Sequence, residues 1–258
     1  MPAYEVYAIK YAHHERTASQ NFLGGDPHDG PMPMDYFVWL VRGAGLEVVV
    51  DTGFGAAAAA RRQRQLLRPV DRALALLEVD AASVRDVVIT HLHYDHVGSF
   101  DLFPQATFHL QDLEMQYATG RNMRHEALRH AFEVEDVVGM VRNVYARRVR
   151  FHAGDAQLFP GVSVHLIGGH TMGLQVVRVA TRRGYVVLAS DASHYYANMD
   201  EGRPFPIVYN VGDMMDGWRK VRDLADSPSH VIPGHDPLVL ERYPAPSKEL
   251  EGIVARLD

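Results

Sequence analysis

The chain has 258 residues, 47% hydrophobic and 22% charged, enough to bury a sizeable core in one large α/β domain spanning residues 1–258. A net charge of −6 without a basic run argues against nucleic acid as a partner, and zero cysteines remove disulfides, thiolate metal sites and cysteine nucleophiles. No run of about 18 apolar residues occurs, and the start, Met1-Pro2-Ala3-Tyr4-Glu5, lacks the basic-then-apolar order of a signal peptide; no membrane partner and a cytoplasmic location are expected.

Residues 4–11 read as a first strand, followed by a polar loop through His13, His14 and Arg16. Gly24, Gly25, Gly30, Pro31 and Pro33 forbid regular structure over 21–34, so a long loop covers about 12–34. Its Phe22, Leu23, Met32 and Met34 either offer apolar contacts to a substrate or tuck beneath the loop. Residues 35–41 and 46–50 form a hairpin through Gly43-Ala44-Gly45. Residues 56–67, rich in Ala and Arg, and 70–77 are helical by propensity and spacing, with a short turn over 80–85. Arg61-Arg62-Gln63-Arg64 and Arg147-Arg148, the nearest approaches to basic clusters, read as a solvated helix face and a strand edge.

The most informative stretch follows. Val87-Val88-Ile89 has the composition of a buried strand and runs directly into Thr90-His91-Leu92-His93-Tyr94-Asp95-His96-Val97-Gly98. Without a metal, three His and an Asp packed this closely would crowd costly polar groups at the end of an apolar strand. His91 and His93, two apart, face one way in an extended segment, whereas Asp95 and His96 come after the chain has turned.

Beyond it, 107–109 is a short strand with His109 as a scaffold residue, and 110–117 a helix. Residues 121–142 form an amphipathic helical insertion with His125 and His130 on its solvent face. Strands at 149–151 and 162–167 are separated by a turn through Gly154-Asp155 and Pro160-Gly161, and the second exits at Gly168-Gly169-His170-Thr171. Residues 174–180 and 185–189 make a hairpin across Arg182-Arg183-Gly184 that exits at Ser190-Asp191. An irregular segment at 198–206 and a helix at 212–226 lead to His230-Val231-Ile232, which exits at Pro233-Gly234-His235-Asp236; a helix follows Pro246. Four strands thus each deliver a potential ligand at their exits. Asp236 reads either as a carboxylate behind His235 or as an exposed loop acid.

The order His-x-His-x-Asp-His, a His after a Gly-rich turn, an Asp after a strand and a late Gly-His resembles the metallo-β-lactamase superfamily of dinuclear metal hydrolases. Asp51-Thr52-Gly53 after Val48-Val49-Val50 matches the early Asp-Thr-Gly turn of that superfamily. The resemblance runs from about Tyr36 to His235 and implies a four-layer αββα sandwich of two mixed β-sheets flanked by helices. It further implies that His91, His93 and His170 hold one divalent metal, Asp95, His96 and His235 a second, and that Asp191 bridges them. Zinc is the first expectation, with iron, manganese and cobalt also suited to these ligands. Two ions about 3.5–4 Å apart activate a shared water and polarise the carbonyl it attacks.

Within the superfamily the chain is most similar to the N-acyl homoserine lactone lactonases, which share the seven ligands, so the resemblance implies lactone-ring hydrolysis and quorum quenching. Asp95 is then a candidate acid for the leaving alkoxide. That group carries a Tyr three positions after the bridging Asp, where this chain has His194, followed by Tyr195 and Tyr196; any of the three is a candidate substrate contact. The alternative is a hydrolase of another lactone, ester or thioester, the glutathione-thioester type included, on the same metal site. A phosphodiesterase is disfavoured by the acidic charge, a β-lactam hydrolase by Asp95 and the missing Cys, and a non-enzymatic metal-binding module by the intact ligand set. A small-molecule partner is expected, with a homodimer also in view.

Overall fold

The computed structural model describes residues 3–258; Met1 and Pro2, part of the start discussed above, lie outside the described residues. Glu5–His14 (β1) pairs antiparallel with Met34–Gly43 (β2), which turns back into Leu46–Val50 (β3). Gln65–Leu66 (β4) adds to the far end of β1. Asp86–Val88 (β5), Thr107–Gln111 (β6) and Val149–His152 (β7) extend the sheet in parallel from β3. The second sheet joins Ala156–Phe159 (β8), Val162–Leu166 (β9), Gln175–Thr181 (β10) and Gly184–Ser190 (β11) antiparallel, with Val231–Pro233 (β12) parallel to β11. Val254–Arg256 (β13) then closes the first sheet beside β1.

Side-chain alternation sorts the sheets into layers. In β3, Val48 and Val50 enter a core shared with Val162, Val164, Val177, Val179, Val186 and Leu188 of the second sheet. Val49 points the other way, with Val38, Leu40, Val87 and Phe108, into a core under the helices. Covered on both faces, β3 and β5 carry continuous apolar runs instead of a polar alternation. Each such valine contributes roughly 1.5–3 kcal/mol by leaving water.

The outer layer on the first sheet contains Ala56–Arg62 (α1), Val70–Ala75 (α2), the short Tyr94–Val97 (α3), Asp112–Ala118 (α4), Glu126–Arg129 (α5) and Val134–Tyr145 (α6). The second sheet is covered by Tyr196–Asp200 (α7) and Val211–Leu224 (α8), whose Met214, Trp218 and Val221 meet Val176, Val187 and Val231. Leu238–Arg242 (α9) follows β12. Helices, two mixed sheets and helices give the expected four-layer sandwich. Among the described residues no helix is long and apolar enough to cross a membrane.

Several elements differ from expectation, each because a distant partner decides. The helix expected after Pro246 is a single turn at Lys248–Leu250 followed by β13, because the open edge of β1 offers Tyr7, Ala8 and Ile9 as pairing partners. Residues 156–159, read as part of a turn, form β8 on β9. The first strand runs on through His13 and His14, which pair with Asp35 and Met34. The helix expected over 56–67 stops at Arg62, where Gln63 takes a left-handed conformation at φ 54°. The irregular 198–206 begins inside α7.

Candidate metal centre

The ligand-bearing loops leave the carboxyl ends of β5, β9, β11 and β12, and the parallel pairing of β11 with β12 sets Ser190 beside Pro233. Backbone strain marks two exits of the sheets: Asp51 after β3 and Ser190 at the end of β11 both have positive φ, 62° and 46°. Gly234 is required here, because a Cβ would sit 2.5 Å from Asp191 Oδ1.

Three imidazole nitrogens form a triangle. His91 Nε2, His93 Nδ1 and His170 Nε2 lie 3.0, 3.0 and 3.1 Å from one another. Hydrogen bonds cannot satisfy such a triangle, since each ring nitrogen has one in-plane lone pair or one N–H. The spacing is close to the ~3.3 Å ligand edge of a tetrahedral site with Zn–N near 2.0–2.1 Å. Burial and the neighbouring imidazoles push the His91 pKa far down, as burial and His170 do for His93. Burial takes His170 to about 4, leaving the neutral form a metal needs.

The second group lies on the other side of Asp191. Its Oδ2 is 3.8 Å from His91 Nε2 and 3.3 Å from His170 Nε2, while its Oδ1 is 3.4 Å from His96 Nε2 and 3.0 Å from His235 Nε2. Asp95 Oδ2 stands 3.8 Å from both His96 Nε2 and His235 Nε2, at the more open side of the pocket. His91, His93 and His170, and Asp95, His96 and His235, are each grouped closely enough to hold an ion. The fit is supported by two orphaned atoms: His96 Nε2 and Asp191 Oδ1 are buried and make no hydrogen bond among the described residues.

Neighbouring groups fix which nitrogen faces inward. His170 Nδ1–H donates to the Ile207 carbonyl at 2.6 Å and His235 Nδ1–H to the Asp35 carbonyl at 2.9 Å. His96 Nδ1–H donates to Asp51 Oδ2 at 2.7 Å, and Asp51 is held by the Thr90 N–H at 2.7 Å and hydroxyl at 2.8 Å. Glu114, buried at the start of α4, accepts from Leu92 N–H at 2.8 Å, the Thr171 hydroxyl at 2.6 Å and Gly173 N–H at 3.1 Å. One carboxylate thus clamps the loops that carry His91, His93 and His170. Gly173 allows it, because a Cβ there would lie 2.0 Å from the Glu114 backbone nitrogen.

A family model described as Metallo-beta-lactamase superfamily matches residues 32–235, well over half of the chain. The chain belongs to the metallo-β-lactamase superfamily. Within this superfamily it is 30% identical over 171 residues to the N-acyl homoserine lactonase AttM of Rhizobium johnstonii, a match covering 62% of this chain and 61% of that protein. It is 24% identical over 223 residues to a probable metallo-hydrolase of Mycobacterium tuberculosis, covering 75% and 68%. A solved quorum-quenching N-acyl homoserine lactone lactonase superposes with a TM-score of 0.76 at 19% identity, over 92% of this chain and 93% of that one, and so shares the fold.

All seven residues expected at the superfamily's metal positions come together. Of the three candidate substrate contacts only His194 lines the same cavity, of about 80 Å³, with its Nε2 3.0 Å from Asp191 Oδ2 and its ring stacked on Phe205 at 3.6 Å. The Tyr195 hydroxyl instead meets the carbonyls of Met32 and Pro33 at 3.4 and 3.3 Å, and Tyr196 turns away beneath Arg242. Asp236 is buried: it accepts from the N–H groups of Tyr196 and Leu238, and so holds α7 and α9 in place. His109 is a scaffold residue, bonded to Asp86 and His152. His125 and His130 are exposed, although His130 reaches the cavity rim and Phe132 packs on His93. Met34, expected in the early loop but placed at the start of β2, lines the cavity, whereas Phe22 is buried beneath Arg203.

Sequence reasoning missed the remaining polar lining residues Arg16, Tyr36, Arg62, Arg64 and Tyr94. Arg62 and Arg64 belong to the basic run expected on a solvated helix face. Arg64 is not on the helix: the left-handed Gln63 ends α1 and turns the chain, so Arg64 points into the cavity.

Proposed function

We propose that this protein is a dinuclear metal hydrolase that opens lactone rings, with N-acyl homoserine lactones the first class to test. The observation that carries the reading is Asp191, which directs one carboxylate oxygen toward each half of a convergent set of seven donors. His91, His93 and His170 would hold one cation and Asp95, His96 and His235 the other, with zinc favoured by the nitrogen-rich first triad. Bound divalent cations supply Lewis acidity for the ester carbonyl and bring the pKa of a water toward neutrality. The named activities of the AttM relatives support the lactone assignment. The chain spans 61% of the length of these relatives.

In hydrolysis the water oxygen adds to the ester carbon, the ring C–O bond breaks, and the alkoxide must gain a proton. Asp95, at the open side, would take the proton that the attacking water gives up and return it to that alkoxide, and the product is a hydroxy acid that ionises in solvent. His194 is held neutral because burial takes its pKa down to about 4, and its single N–H, on Nε2, donates to Asp191 Oδ2 at 3.0 Å, so it acts on the substrate side of the cavity through the ring and by fixing that carboxylate. Tyr195 and Tyr196 hold the surrounding loops. We place the protein in the cytoplasm as a single domain, with the helical segment 121–142 forming part of the cavity wall.

The test is purified, metal-analysed protein assayed for proton release with short- and long-chain N-acyl homoserine lactones, simple γ- and δ-lactones, aryl esters, a glutathione thioester and a phosphodiester. Ring opening with two metals per chain is expected. Turnover confined to the phosphodiester overturns the reading.

A further inference from the structure

The mouth of the metal cavity is cationic in a chain whose net charge is −6. Arg16, Arg62 and Arg64 all line it. Arg62 has an acid of its own, Glu133 at 2.9 Å, and stacks over Tyr94. Arg16 and Arg64 have no carboxylate within ion-pair distance among the described residues. Arg16 reaches only the Gln20 carbonyl at 2.5 Å and the Met34 sulfur at 3.7 Å, and its Nε is buried without a partner. Arg64 donates from Nε to the Tyr94 hydroxyl at 3.2 Å, and from Nη1 to His14 Nε2 at 3.0 Å and the Arg62 carbonyl at 2.6 Å, all neutral groups. The field of the pair is felt nearby: burial, then Arg64 and Arg16, push the His14 pKa down to about 4, while Arg64 itself feels the Asp95 carboxylate across the cavity without pairing to it.

A half-buried guanidinium without an ion-pair partner keeps part of its charge unmet, and two beside one reactive cavity offer that charge to an incoming anion. The planar fork of arginine matches a carboxylate. Tyr36 and Tyr94, with hydroxyl oxygens 3.4 Å apart, line the same cavity and add neutral donors. The cavity of about 80 Å³ has room for a small ring with the group attached to it, and a longer substituent would extend through its mouth.

We propose that Arg16 and Arg64 form a carboxylate-binding subsite at the rim of the metal cavity, so that the favoured substrates are lactones carrying a carboxylate next to the ring. For turnover this rests on the hydrolase reading; for binding it does not.

The matched probes are 5-oxo-oxolane-2-carboxylate and its neutral amide. With metal-loaded protein, kcat/KM for the acid should exceed that for the amide by roughly 10–100-fold, the range of a charge-assisted hydrogen bond, mainly through KM. Arg64→Gln and Arg16→Gln should each collapse that ratio toward one, and Arg64→Lys should restore part of it. The second measurement uses metal-free protein and tetrahydrofuran-2-carboxylate, which has no bond to hydrolyse: it should raise the melting temperature of the native chain, and neither Gln variant should respond. An acid-to-amide ratio near one in the native protein, or equal losses for both probes in the variants, assigns the arginines to scaffolding and overturns the subsite. No turnover of any lactone, with the carboxylate still stabilising only the native chain, sinks the lactonase reading and leaves the subsite standing.

Discussion

The two halves of the metal centre are built differently. His91, His93 and His170 bring three neutral nitrogens to within 3.1 Å of one another on two loops clamped by Glu114. Asp95, His96 and His235 stand farther apart, at 3.8 Å across each Asp95 contact; both imidazoles owe their raised affinity for protons to nearby acids, and His96 also owes its orientation to one. The first half is preorganised by chain geometry and the second by electrostatics, so perturbations should separate them. Asp191 belongs to both, and its loss gives the largest effect. Asp191→Asn keeps the shape but leaves one half facing an amide NH₂ where it had an oxygen. Metal content should fall to one ion or fewer per chain, and lactone turnover by more than the roughly 100-fold typical of an outer partner. Retention of two ions in metal analysis would break the comparison.

Next in size is Asp51→Asn. Asp51 touches His96 but none of the first triad's nitrogens, so the change removes a charge-assisted bond of 2.7 Å from the second half alone. A stepwise zinc titration should show the weaker site losing roughly 10–100-fold in affinity while the tighter site holds. Equal weakening of both would mean that the halves are one unit. His235 offers no parallel variant, because its orienting acceptor is the backbone carbonyl of Asp35.

This contrast also explains what the sequence disclosed. The seven donors were legible because strand exits and His-x-His spacing are local features, and the four layers were legible because buried strands carry valine runs. Asp51 was visible as a turn, but its role depends on a contact 45 positions away. Glu114 gave no signal beyond being an acid near a helix start, since its partners lie 22, 57 and 59 positions off. Arg64 looked like one more helical arginine until Gln63 adopted positive φ. The strand β13 was missed for the same reason: its partner is β1, at the other end of the chain.

Glu114→Gln probes the clamp of the first half. The carboxylate accepts three donors, and an amide, with one oxygen and one NH₂, must oppose the N–H of either Leu92 or Gly173. Metal-free protein should lose about 2 kcal/mol in urea unfolding, and the tighter zinc site should weaken more than the other. Burial raises the Glu114 pKa to about 7, so the folded chain binds more protons here than the unfolded one. This group's contribution therefore falls as pH rises from its unfolded value near 4.5 through about 7, a slope that the Gln variant should lack.

The smallest effect, counted in single protons, separates the halves most directly. Burial and neighbouring imidazoles lower the pKa values of His91 and His93, and burial takes His170 to about 4. Folded values below the unfolded 6.5 mean that the first half loses stability as pH falls below 6.5, and that it is already neutral at pH 7. Burial also opposes charge on His96 and His235, but Asp191 outweighs it, joined by Asp51 and Asp95 at His96 and by Asp95 at His235, so both pKa values rise. Their stabilising protons are held below pH 6.5 and lost as pH climbs through the raised values. A metal can enter the second half only by displacing those protons, whereas the first half has none to give. Zinc-binding calorimetry at pH 7, in two buffers of different protonation enthalpy, should therefore report near-zero histidine proton release for the first ion and net release for the second. If both ions release equally, the two halves share one electrostatic environment, and the distinction between a geometric and an electrostatic half has no basis.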